Sequence, residues 1–139
     1  MKKRIAWLST ALILAMASLG TVSAPAQESV PVKVGVVPPL TGTQRNFGEI
    51  QKNSFLMGKE EINAAGGIHG RPIELVIEDD QSTIAAGRSA VEKLILQDKV
   101  TVLTGGYSSD VTFAMAAVAQ HRKVPLLVTT GERVRPAAD

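Results

Sequence analysis

The stretch that decides the fold is "VTVLTGGYSSDV", residues 100–111, followed by an alanine-rich run to Arg122. Val100 to Thr104 is a short apolar, β-branched segment, the composition of a strand buried on both faces. Two glycines and a hydroxyl-rich turn follow. From Ser109 to Arg122, Val111, Met115 and Val118 then return at helical spacing. The period changes from strand to helix across Gly105-Gly106, so this stretch reads as one βα unit.

The same unit recurs on both sides. Val32 to Val37 is a β-branched run that stops at Pro38-Pro39, which lack amide donors for a ladder. Phe47 to Ala65 places Phe47, Ile50, Met57, Ile62 and Ala65 within one half of a helical wheel, with Lys52, Lys59, Glu60 and Asn63 opposite and Leu56 out of place. That pattern predicts an amphipathic helix buried on its Phe47–Met57–Ile62 side and stopped by Gly66-Gly67. Ile73 to Glu78 reads as a second strand and Ile84 to Gln97 as a second helix, with Ala86, Ala90, Val91, Leu94 and Ile95 on its apolar face. Pro125 to Thr130 is a fourth strand, and residues 132–139 carry no apolar period. The order β-α-β-α-β-α-β with short connections predicts an α/β fold, a Rossmann-like parallel sheet flanked by helices and joined by right-handed crossovers.

The N-terminus reads differently. A basic start at Lys2, Lys3 and Arg4, the apolar run Ile5 to Leu19 and the small residues Ala24-Pro25-Ala26 have the form of a secretory signal peptide over residues 1–26. Cleavage after Ala26 would leave 27–139 as the mature chain and predicts a periplasmic location. Without those three cations, the 15 basic residues fall to twelve against 13 acidic ones, and the formal charge moves from +2 to −1. The basic balance thus belongs to the leader, and with few aromatics to stack bases, nucleic acid is not an expected partner. There is no cysteine, so neither disulfides nor a thiol nucleophile enter the chemistry.

In an open parallel sheet, ligands bind beyond the carboxyl ends of the strands. The loop Gly105 to Asp110 is one such position. Its glycines let backbone approach a ligand, and Ser108 or Ser109 can cap the helix while free amides face outward, which favours an anionic group such as a carboxylate. The same residues would also serve as an ordinary N-cap after a tight turn. No P-loop or dinucleotide glycine pattern occurs, so no cofactor is expected. Asp79-Asp80 ends a strand where acids cap and hydrogen-bond locally, and His69 and His121 have no second ligand at metal spacing, so no metal site is expected. Ser108 and Ser109 lack a nucleophile elbow, and no catalytic residue is assigned.

Three stretches, "VKVGVVPPLTGTQRNFGEIQKNSF", "EEINAAGGIHGRPIELVIEDDQST" and "AVEKLILQDKVTVLTGGYSSDVTFAMAAVAQHRKVPLLVTTG", cover nearly all of residues 32–131. In them the chain resembles the periplasmic leucine/isoleucine/valine-binding protein family, the solute-binding subunits of ABC importers. The resemblance implies a type I periplasmic binding fold of two lobes, of which residues 27–139 match an incomplete first lobe. It implies a small-molecule ligand, an amino acid or similar, and a membrane permease as partner of a full-length protein. It also implies that Ser109, with Ser108 beside it, receives the ligand carboxylate, that Thr130 and Glu132 contribute after the fourth strand, and that Phe47 covers the ligand side chain. Thr41 and Gly42 would shape the cleft wall. The tail from Glu132 onward departs from the family pattern. A second expectation keeps the fold and changes the role, to a ligand-sensing protein for amides or amino acids.

Overall fold

A computed structural model describes residues 30–130; the signal-like segment and Glu132 lie outside the described residues. The elements are β1 (Val32–Val37), α1 (Arg45–Ala64), β2 (Ile73–Ile77), α2 (Ile84–Leu96), β3 (Val102–Gly105), α3 (Ser109–His121) and β4 (Leu126–Val128). All strand pairs are parallel, in the order β2-β1-β3-β4. The first crossover therefore runs to one side of β1 and the later ones to the other. Helix α1 covers one face of the sheet, and α2 and α3 pack together on the opposite face.

The core lies under α2 and α3. Val37, Val91, Leu94, Leu103 and Met115 have no exposed surface, and Val111, Val118 and Ala119 close the layer around them. Each such leucine or methionine contributes about 1.5–3 kcal/mol by leaving water. Alternation along the strands fixes this division, since Val37, Val76, Leu103 and Leu126 turn toward the α2–α3 layer while Val34, Leu75 and Val102 turn toward α1.

Helix α1 corrects the expected face. Phe47, Ile50, Met57 and Ile62 are exposed, at 47%, 64%, 64% and 41%. Instead the helix docks along Gly48, Lys52, Phe55, Lys59 and Asn63, and Leu56 is half-buried. The cause is contact geometry. Gly48 lies against the Pro39 carbonyl, where any Cβ would collide with backbone, so this side alone lets α1 approach the end of β1. Further along, Asn63 Nδ2 donates to the Ile73 carbonyl at 2.9 Å and Asn63 Oδ1 accepts the Ile73 amide at 2.7 Å, satisfying the edge of β2. Lysine stems lie along the sheet with their ammonium groups free to reach water. Beside α1 an open apolar depression of about 510 Å³ remains, lined by Val34, Phe55, Ile62, Leu75, Val102 and Leu127.

Candidate functional site at the β1–β3 switch point

The loop after β1 leads to one face of the sheet and the loop after β3 to the other, leaving a crevice over the carboxyl ends of these adjacent strands. Gly105 and Gly106 line it with φ of +110° and +76°. A Cβ on Gly105 would come within 2.7 Å of Val37 backbone, so only glycine lets β3 end this close to β1. The Gly106 amide donates to the Val37 carbonyl at 2.7 Å, locking the turn. Ser108 is then the N-cap of α3, yet its side chain makes no cap bond. The first-turn amides of Ser109, Asp110 and Val111 have no intrahelical carbonyl to meet, which leaves a donor-rich edge on the crevice. Asp110, in the same turn, offsets part of the helix-end potential.

Two side chains that the sequence reading passed over complete the wall. Tyr107 stacks on Phe47 with ring centroids 4.2 Å apart and planes inclined by 12°. Gln51, one turn along α1 from Phe47, donates from Nε2 to the Gly106 carbonyl at 3.0 Å and to Thr130 Oγ1 at 2.8 Å. Thr130 Oγ1 donates in turn to the Gly106 carbonyl at 2.8 Å, closing a triangle. The amide orientation of Gln51 follows, because only its NH₂ can satisfy a carbonyl. Phe47, Ser108, Ser109 and Thr130 are thus drawn around Gly106-Tyr107. The signals for the missed pair were modest: Tyr107 lies inside the decisive loop, and Gln51 sits four residues from Phe47 on the same helix.

Asp79 fixes the neighbouring loop. Its Oδ1 accepts the amides of Leu40 at 2.7 Å, Thr41 at 3.2 Å and Gln81 at 2.8 Å, and Oδ2 accepts the Thr41 hydroxyl. Burial alone would raise this carboxyl, but the Thr41 hydroxyl and the three amides outweigh it and hold the pKa below the ordinary value. Ser82 Oγ donates to the Thr41 carbonyl and accepts the Gln44 amide, so Thr41 and Gly42 form a wall braced from the β2–α2 loop. Asp80 is buried, and its Oδ1 accepts the Ser82 amide at 2.7 Å. Burial pushes it up to about 6 against that hydrogen bond, with the charge of Asp79 adding to the rise. Both acids serve local structure, and among the described residues no group of three or more His, Cys, Asp or Glu could hold a metal ion.

The periplasmic binding protein family model matches residues 31–138. The chain belongs to the periplasmic binding protein family. An amino acid binding protein of Pseudomonas aeruginosa is 33% identical over 106 residues, which is 76% of this chain and 28% of that protein. The branched-chain amino acid transporter substrate binding protein LivJ of Streptococcus pneumoniae, solved in complex with isoleucine, superposes with a TM-score of 0.72 at 32% identity, over 75% of this chain and 30% of its own. A solute binding protein of an ABC transporter from Rhodopseudomonas palustris, solved with 3,4-dihydroxy benzoic acid, gives a TM-score of 0.67 at 28% identity, over 73% of this chain and 27% of its own. This periplasmic binding protein chain spans about a quarter to a third of the length of such relatives. Its family is made of substrate-binding proteins, not enzymes, and is typically periplasmic.

Proposed function

We propose that this chain is the ligand-holding part of the first lobe of an ABC-importer solute-binding protein, for a branched-chain amino acid or a related small carboxylate. The carrying observation is the unfilled first turn of α3 at the switch point, where the amides and hydroxyls of Ser108 and Ser109 face the crevice. Isoleucine and 3,4-dihydroxy benzoic acid, the ligands of two solved relatives, have a carboxyl group in common and little else. A carboxylate is the group this edge suits. Phe47 covers the remainder of the ligand, Thr130 steadies the far side, and Glu132 contributes from the segment after β4. Residues 1–26 act as an export signal and 27–139 as the partial lobe, so the ligand is met in the periplasm.

In a two-lobed protein, capture at this lobe would be followed by closure of the second over the ligand and presentation of the closed form to a membrane permease. A half cleft is open to water, where charge-assisted contacts are weak, and a Kd on the order of millimolar is expected for the chain alone. The test is calorimetric titration of the full chain with L-isoleucine and with 3,4-dihydroxybenzoate. Ser109→Ala should weaken whichever binds by about tenfold, the worth of one charge-assisted hydrogen bond. Absence of binding to both, or indifference to Ser109→Ala, would overturn the assignment.

A further inference from the structure

We propose that the crevice selects a flat aromatic carboxylate in preference to an aliphatic amino acid; this rests on the carboxylate reading above and names the rest of the ligand. Two independent observations carry it. The first is the stacked pair Phe47–Tyr107. The two rings come from different loops and lie nearly parallel, and Phe47 is about half exposed, outside the core. A third ring of the same orientation extends such a stack, whereas a branched aliphatic chain meets a flat wall with fewer of its atoms.

The second observation is the balance of donors and acceptors. A zwitterionic amino acid brings an ammonium that needs acceptors. At the crevice these are taken: the Gly106 carbonyl already accepts from Gln51 and Thr130, filling both of its lone pairs. The Thr130 hydroxyl spends its proton on Gly106 and accepts from Gln51, and the Asp79 carboxylate holds four donors. Among the described residues, Asp110 is the acid left in the first turn of α3. Donors, by contrast, are in surplus along that turn. A donor-rich, acceptor-poor edge beside an aromatic wall fits a carboxylate attached directly to a ring.

Four probes separate the two features: benzoate, L-phenylalanine, 4-methylpentanoate and L-leucine, titrated calorimetrically into the full chain. Benzoate should bind about tenfold or more tightly than either 4-methylpentanoate or L-leucine, and L-phenylalanine should fall below benzoate. Tyr107→Leu, which keeps an apolar side chain, should erase the advantage of benzoate over 4-methylpentanoate, and Tyr107→Phe should restore it. L-leucine binding as well as benzoate, above all if Asp110→Asn abolishes it, overturns this inference and leaves the carboxylate reading standing. Benzoate binding that ignores Tyr107→Leu also overturns it. Failure of all four probes overturns both, and the ranking in the unsubstituted chain decides the matter even if a variant does not fold.

Discussion

The two faces of the sheet are built from the same four strands and differ in what covers them. Under α2 and α3, alternate residues of every strand meet a closed apolar layer in which Leu94, Leu103 and Met115 are fully out of water. Under α1, a single helix docks through a glycine, lysine stems and an asparagine, beside an open apolar depression. Stability therefore resides mainly on one side, and the crevice lies where the closed side and the open side meet. Only the closed side can hold the crevice rigid.

That asymmetry predicts unequal responses to equal truncations. Leu103→Ala should cost about 2–5 kcal/mol in urea denaturation, the range for a leucine deleted from a closed core. Leu75→Ala, facing the open side, should cost less than half as much. Equal losses would mean that the two faces are equally packed. Next in size is Asp79→Ala, which orphans the amides of Leu40, Thr41 and Gln81 and frees the loop before α1 from the loop before α2. A loss of about 2–3 kcal/mol is expected, with faster hydrogen exchange at Leu40 and Thr41 as the local signature. If exchange at Thr41 stays slow, the two sides are joined by something other than this carboxylate.

Asp80 sharpens the comparison through pH. Its folded pKa of about 6 stands above the ordinary 3.8, so the fold prefers the protonated form. The stability it contributes is full below 3.8 and is lost as pH rises through about 6. Asp80→Asn keeps an acceptor for the Ser82 amide and never ionises. It should stabilise the chain by on the order of 1–2 kcal/mol at pH 8 and by almost nothing at pH 4, read from melts at both values. The smallest effect belongs to the outer side of α1, where Met57→Glu should change stability by about 0.5 kcal/mol or less and improve solubility. A large loss there would mean that Met57 is covered in solution.

The strands and helices were legible because their signals are local: β-branched runs bounded by Pro38-Pro39, Asp79-Asp80 and Gly105-Gly106, and helical spacing between them. The docking face of α1 was not legible. Its decisive contacts are a glycine that fits because it has no side chain and an asparagine that reads as surface, neither of which registers as hydrophobic. The crevice divides in the same way. Ser108 and Ser109 announce themselves by following two glycines at a strand end. Gln51 gives no such notice, because its partners Gly106 and Thr130 lie 55 and 79 residues further along the chain. Only the sheet order brings them together.

The central place of β1 also has a meaning in time. β1 is the first strand to be made, β2 and β3 each add beside it, and β4 adds beside β3. No strand waits for a neighbour that is still unmade beyond it. A chain threaded out from its N-terminus can therefore assemble as it appears, each βα unit settling on a template already present. The first unit to do so carries Phe47 and Gln51, which stand ready when the loop of Gly106 and Tyr107 arrives.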